Sequence, residues 1–293
     1  MTDPQADNQP HREPTALRGV ALTAASRLWT AALVALSLSG LFAVLVWLTA
    51  PSESAARPLQ LVRFALAFVV APAVVVSLLH ARASATITVT DGTLIVRRRR
   101  VRSEVPLASI RELRPWRIPL PGCGFDLGLA SGRRFELGLM VERPSALVEL
   151  LERSSANVAS APYWTVVHGD ATAAVRQRRW FDPLLRYPVF ALVPTLPLFR
   201  VHQLIAYGGV FGEYQQYGAR AYLLGFFVYW ATLTVYLMAY RTALRIPAEA
   251  VALAAAALRP SAARSVRRNI ERGVAVLYYG GVPALLVLRF VPW

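Results

Sequence analysis

LWTAALVALSLSGLFAVLVWLTA, at residues 28–50, contains no charged side chain. At a rise of about 1.5 Å per residue, a helix of this length crosses a hydrocarbon core of about 30 Å. The run is longer than the apolar part of a secretory signal peptide, and no small-residue cleavage site ends it. The stretch therefore predicts a membrane-spanning helix near the start of the chain.

The composition of the 293-residue chain extends this expectation to several spans. Hydrophobic residues make up 55% of the sequence, charged residues make up 17%, and the mean hydropathy is +0.41. A soluble domain of this length rarely combines so much apolar content with so few charges. The net charge of +15 comes entirely from arginine, which is typical of GC-rich bacterial coding. Because no aromatic stacking platform accompanies the arginines, no nucleic-acid partner is expected.

Further apolar segments predict about five transmembrane helices in total. Residues 61–80 are expected to pair with the first span in a helical hairpin over residues 28–80, with a kink at Pro72. A C-terminal membrane region is predicted at residues 187–293. Its three spans are placed at residues 187–209, 221–240 and 273–293. The polar, proline-containing residues 1–27 are expected to be a disordered tail.

Residues 84–154 change in character from apolar helix to short alternating segments. Strand-like runs flank Asp91-Gly92, a dipeptide that strongly indicates a β-hairpin, and two more runs flank Ser131-Gly132. An amphipathic helix is predicted at residues 144–154, with Pro144 in its first turn and leucines on one face. We therefore expect a small antiparallel β-domain closed by one helix.

This region resembles the bacterial pleckstrin-homology-like domains that follow a transmembrane hairpin in small multi-pass membrane proteins. The matching features are the Asp91-Gly92 turn, the strand at residues 94–96, the VPLASI step at residues 105–110, the hairpin around Gly132 and the helix at residues 144–154. The stretch shows fewer clear strands than the seven of a full pleckstrin-type barrel. The resemblance implies the fold of a lipid-binding module, although a fold does not fix a function.

The distribution of arginine predicts the orientation in the membrane. The tail, the β-domain and the connection at residues 241–272 are rich in arginine, whereas the opposite connections are not. By the positive-inside rule, these three segments are cytoplasmic, and the C-terminus lies on the other side of a bacterial plasma membrane. All three segments fall on one side when the chain has five spans.

Two groups of arginines are candidates for binding anionic lipid headgroups. The first group is Arg97, Arg98, Arg99 and Arg100. Strict strand alternation would point two of these side chains into a small core that cannot accept them, so the strand is predicted to end near Arg97 in a turn. The second group lies in a predicted interfacial amphipathic helix at residues 171–186 and consists of Arg176, Arg178 and Arg179.

A polar cluster near the end of the third predicted span comprises Arg200, His202, Gln203, Glu213 and Tyr214. An arginine at bilayer depth costs about 2.5–3.5 kcal/mol on insertion scales, so Arg200 is expected to pair with Glu213. His202 and Glu213 are the weak candidates for catalysis, in a polar site on the non-cytoplasmic side. In the competing interpretation Arg200 extends to the headgroups, His202 and Gln203 bond neighbouring helices, and the tyrosines form an aromatic belt.

These patterns favour a non-enzymatic binding or scaffolding protein whose β-domain contacts lipid headgroups or a membrane protein partner. The sequence contains no nucleotide-binding loop, zinc-ligand spacing or Ser-His-Asp order, and its one cysteine is Cys123, so no cofactor or metal is expected. A membrane enzyme or transporter that uses the polar cluster is the first alternative. An accessory subunit of a membrane complex is the second, because small residues in the third and fifth spans suit helix contacts.

Overall fold

The structure is a computed structural model that describes residues 16–49, 58–99, 101–116, 121–154, 164–175 and 181–290. The strands are β1 (Leu17–Thr23), β2 (Ser84–Thr90), β3 (Thr93–Arg98), β4 (Arg102–Pro106), β5 (Ile110–Pro115), β6 (Phe125–Leu129) and β7 (Leu137–Val141). The helices are α1 (Ala24–Thr49), α2 (Pro58–Ala65), α3 (Ala71–Arg82), α4 (Pro144–Ser154), α5 (Trp164–Val175), α6 (Asp182–Leu184), α7 (Phe190–Tyr207), α8 (Gly212–Leu258), α9 (Ala263–Tyr279) and α10 (Gly281–Phe290).

The seven strands form one antiparallel sheet in the order β4-β3-β2-β1-β7-β6-β5. Its core contains Ile87, Leu94, Leu127 and Leu139, all completely buried. The helix α4 covers this core, because Leu147 and Leu151 lie one turn apart on its apolar face and are also completely buried. In the described residues no ladder joins the two edge strands, β4 and β5.

The strand β1 corrects the prediction of a disordered tail over residues 1–27. Residues 17–27 form β1 and the first turn of α1, while residues 1–15 lie outside the described residues. β1 is the central strand, paired with β2 on one side and with β7 on the other. Gly19 permits this position, since a Cβ there would lie 2.5 Å from the backbone oxygen of Met140.

The helical hairpin formed by α1, α2 and α3 is inserted between the neighbouring strands β1 and β2. α1 begins immediately after β1, and only Ala83 separates α3 from β2. The backbone N–H of Ala21 in β1 donates to the carbonyl of Ala83 at 2.9 Å. This bond holds the start of α1 and the end of α3 close together. Both helices of the hairpin are therefore joined to the sheet without a flexible linker.

Four helical segments within the described residues are long and apolar enough to cross a membrane. They are Ala24–Trp47, Pro58–Arg82, Asp182–Tyr207 and Gly212–Leu258. The fifth span expected at residues 273–293 is divided between α9 and α10 at Gly280, with residues 291–293 outside the described part. The architecture is thus largely helical, with a seven-stranded sheet at one end of the first hairpin.

A π-helical segment, Leu66–Val70, lies where the sequence predicts a kink at Pro72. Proline has no backbone N–H to donate to the carbonyl four residues earlier, and its ring crowds that carbonyl. The wider π turn that joins α2 to α3 accommodates both effects without breaking the helix.

The arginine-rich connection at residues 241–272 is helical. α8 continues through Pro247 to Leu258, and α9 returns alongside it after a short turn. The predicted interfacial helix at residues 171–186 also has different bounds. α5 begins earlier, at Trp164, and packs against α8 and α9, while residues 176–180 lie outside the described residues.

Candidate functional site

The arginine run covers the end of β3 and the turn that leads to β4. β3 continues to Arg98, whose backbone N–H donates to the carbonyl of Val101 at 2.8 Å. Arg99 forms the bend, and Arg100 lies outside the described residues. The strand therefore ends one residue later than the sequence predicts, and we call Arg97–Arg99 the arginine turn.

Strand register places the arginine turn at the end of the sheet where α1 and α3 are connected to it. Arg98 is paired with Ala85, which is the third residue after Arg82, the end of the second span-length helix. Neighbouring strands are about 4.8 Å apart, so the turn lies close to the point where α3 ends. The Asp91-Gly92 turn lies at the opposite end of β2 and β3. Its φ values of 49° and 71° are those of a type I′ hairpin turn.

The charges of the arginine turn are at least partly exposed, and no ion pair among the described residues neutralises them. Arg97 and Arg99 are exposed, Arg98 is half-buried, and none of the three has an acidic partner among the described residues. The next arginine, Arg102, is bonded to Glu104 at 2.6 Å. Three positive charges therefore remain available to an anion. The second predicted group, Arg176, Arg178 and Arg179, lies outside the described residues.

A second cluster, which the sequence did not predict, fastens α1 to the sheet. Arg27 donates to both carboxylate oxygens of Asp126, at 3.0 and 3.1 Å, and the indole N–H of Trp116 donates to the same carboxylate at 2.9 Å. The guanidinium of Arg27 also lies 4.8 Å from the centre of the Trp116 ring. Trp116 fits closely over Gly138, where a Cβ would lie 2.7 Å from the ring.

The polar cluster at the end of α7 is built around Gln203 and Glu213. Gln203 is completely buried; its amide donates to the Glu213 carboxylate at 2.7 Å and accepts from the Glu213 backbone N–H at 3.1 Å. The carboxylate lies against Gly225 in α8, where a Cβ would be 3.0 Å from it. The two residues connect the end of α7 to the start of α8.

The other members of this predicted cluster do not join Glu213. In the described residues no ion pair links Arg200 to Glu213, because the Arg200 guanidinium lies over the ring of Phe211, 4.5 Å from its centre. His202 packs against Tyr229, with ring centres 5.0 Å apart, and Tyr214 is exposed. Gln203 thus bonds the start of α8, His202 makes a ring contact, and Arg200 lies over an aromatic ring of the protein.

The largest ion-pair cluster among the described residues joins α5, α8 and α9, and the sequence does not predict it. Arg267 is almost fully buried and bonds Glu249 at 2.6 Å and Glu271 at 3.0 Å. Arg245 bridges the same two carboxylates, at 3.3 Å and 2.6 Å, and His168 lies 3.7 Å from Glu249. The spacing of Arg267 and Glu271 by four residues was the available signal, but their partners lie on other helices.

Protonation at this cluster argues against nucleophilic chemistry. Burial lowers the pKa of His168, the Glu249 carboxylate opposes that change, and Arg267 reinforces it, so the imidazole is neutral at pH 7. Burial, together with the Asp170 and Glu249 carboxylates, raises the pKa of Cys123 to about 11. The thiol is therefore protonated, and a protonated thiol is a poor nucleophile. In the described residues no group of three His, Cys, Asp or Glu side chains could hold a metal ion.

Comparisons with known proteins identify no relative. No family model matches the chain, and searches of curated proteins and of solved structures give no significant match. The function is therefore argued from the geometry of the sites alone.

Proposed function

We propose that the chain is a membrane-anchored module of a bacterial plasma membrane whose pleckstrin-like sheet binds anionic lipid headgroups through the arginine turn. The supporting observation is the register of β3, which puts Arg98 beside Ala85, next to the end of a span-length helix. Each arginine near an anionic leaflet contributes about 1 kcal/mol. Three arginines together give an attraction of about 3 kcal/mol, which corresponds to a more than hundredfold increase in the binding constant for the anionic surface.

The orientation and span count belong to the same proposal. The sheet and the α8–α9 connection would face the cytoplasm, where anionic lipids are enriched, and α10 would complete a fifth span. The exposed Arg264, Arg268 and Arg272 recur every four residues along one face of α9, which suits the same membrane surface.

The alternatives have weaker support. For an enzyme or transporter, the polar cluster offers a Glu213 already held by Gln203 and a His202 packed on an aromatic ring. For an accessory subunit, or for a protein partner of the sheet, no contact within the described part of the chain indicates what would bind. The lipid proposal is the one that a charge pattern supports.

Hydrogen exchange of the full chain in nanodiscs tests the proposal. The full chain is required, because residues 84–154 alone lack the central strand β1. We expect the backbone of the arginine turn to exchange more slowly in nanodiscs containing phosphatidylglycerol than in pure phosphatidylcholine. High salt should remove the difference, since it screens exposed charges.

Charge-reversed variants provide the control. Arg97→Glu/Arg98→Glu/Arg99→Glu should exchange equally in both membranes. Arg99→Glu alone should weaken the protection, whereas Arg153→Glu, an exposed arginine on α4, should not. Equal exchange of the unmodified turn in both membranes would overturn the lipid function.

A further inference from the structure

A large cleft separates the first turns of α1 from β5, β6 and the start of α5. We call it the sheet–helix cleft; its volume is about 1580 Å³. Pockets for small soluble ligands usually reach about 1,000 Å³, so this space suits a larger molecule. The cleft is distinct from the arginine turn, since none of Arg97–Arg99 lines it.

One wall of the cleft is apolar and belongs to a span-length helix. It is formed by Ala24, Leu28, Ala31, Ala32 and Ala35 of α1. These positions share one helix face, because their spacing follows steps of three, four and seven residues. Four of the five are alanines, which leave a shallow groove along the helix. Leu28 remains 72% exposed, although the sheet faces it across the cleft.

The charged residues of the cleft carry a net positive charge. Arg27 lies on α1 itself, and the sheet side contributes Glu112, Arg114, Asp126 and Arg134. The Asp126 carboxylate accepts hydrogen bonds from Arg27 and Trp116, and Glu112 forms an ion pair with Arg114. In the described residues Arg134 forms no ion pair, although its charge acts on Glu112 from a greater distance. With three arginines against two carboxylates, the cleft keeps one net positive charge.

We propose that the sheet–helix cleft holds a single anionic phospholipid. Its phosphate would lie at Arg134 and Arg114, and an acyl chain would follow the alanine wall of α1 into the bilayer. This combination requires a molecule with an anionic head and an apolar tail, since a free anion would leave the alanine wall uncovered. Trp164, at the start of α5, lines the cleft as an aromatic side chain suited to the headgroup level.

Lipid titration of the purified, delipidated full chain by native mass spectrometry tests this inference. We expect one molecule of dioleoyl phosphatidylglycerol to bind more tightly than any further copies and more tightly than dioleoyl phosphatidylcholine. Glycerol 3-phosphate, which carries the anion without the tails, should not compete. Equal binding of the two phospholipids, or competition by glycerol 3-phosphate, would overturn the proposal.

Matched variants address each wall separately. Ala32→Trp fills the apolar groove and should abolish the tight binding, whereas Leu38→Trp, on the same helix but outside the cleft, should not. Arg134→Gln should raise the Kd about tenfold, because one charge-assisted bond is lost. Arg133→Gln, the exposed neighbour outside the cleft, should leave the Kd unchanged. If Arg134→Gln and Arg133→Gln behave alike, the proposal fails.

The two lipid sites can fail independently. In Arg97→Glu/Arg98→Glu/Arg99→Glu the single tight lipid should remain bound, and its loss there would contradict a separate cleft site. Conversely, if the unmodified arginine turn shows no response to phosphatidylglycerol, the function proposed above is wrong. The cleft proposal is then still tested by its own variants.

Discussion

Gln203 shows how a fully buried amide is satisfied between two helices. Its amide N–H donates to the Glu213 carboxylate and its carbonyl accepts from the Glu213 backbone N–H, so replacement of the Glu213 side chain leaves the buried amide N–H without a partner. We expect Glu213→Ala to lower the free energy of unfolding by about 1–3 kcal/mol. Thermal unfolding of the full chain in detergent measures the change.

Two further variants identify the cause of that loss. Gln203→Leu/Glu213→Ala should recover part of the stability, because the buried side-chain amide that lacks its acceptor is removed. Gln215→Ala, an exposed neighbour on the same turn, should have little effect. A double variant as unstable as the sum of its single changes would contradict the pairing.

His168 gives the protein a pH dependence with a defined sign. Burial lowers its pKa in the folded protein, so below about pH 6.5 the unfolded chain binds the proton more readily than the folded one. The free energy of unfolding should therefore fall as the pH decreases below about 6.5. The imidazole faces Glu249, which limits the fall, and Arg267, which increases it.

Substitution of His168 isolates this contribution. His168→Gln should flatten the dependence of the unfolding temperature on pH in that window, while carboxylates account for changes at lower pH. Parallel pH profiles for the two proteins would show that His168 does not titrate as described.

The strand β1 depends on a close backbone approach at Gly19. A Cβ there would meet the Met140 backbone oxygen at 2.5 Å, and backbone atoms in the centre of a sheet cannot move aside. We expect Gly19→Ala to destabilise the protein by about 1–3 kcal/mol. Gly273→Ala, in α9 with no neighbouring atom within 4 Å, should instead stabilise it by up to about 1 kcal/mol. Shifts of equal sign in thermal unfolding would contradict this account.

Elements with local signals could be predicted from the sequence, and elements that depend on distant partners could not. The hairpin at Asp91-Gly92 and the helix α4 follow from turn chemistry and periodicity within a few residues. β1 has only seven residues, runs directly into a helix, and pairs with strands that lie far along the chain. For this reason the sequence predicts no strand there.

The same distinction applies to the candidate sites. The rule that charges avoid a small core predicts the end of β3 to within one residue of its observed position at Arg98. The partner of Glu213 could not be predicted, because charge alone favours Arg200. The fold instead brings Gln203 to the Glu213 carboxylate and Phe211 to the Arg200 guanidinium. The clusters around Asp126 and Arg267 combine residues from separate elements, which no local pattern indicates.

The whole molecule is organised around a sheet that is interrupted by a pair of apolar helices. Because α1 and α3 leave from adjacent strands, the sheet is oriented relative to the helices by the chain itself and by the Arg27–Asp126 pair. β2 has seven residues, so its two ends are separated by about 20 Å. The arginine turn and the Asp91-Gly92 turn should therefore lie at different heights above a membrane.

The most direct test compares probes at these two ends in a lipid bilayer. Val101→Cys, exposed beside the arginine turn, and Thr90→Cys, exposed beside the Asp91-Gly92 turn, would each carry a fluorophore in the full chain. Phospholipids spin-labelled at the headgroup should strongly quench the probe at Val101 and leave the probe at Thr90 nearly unaffected. Equal quenching, or stronger quenching at Thr90, would contradict a sheet whose arginine turn faces the membrane.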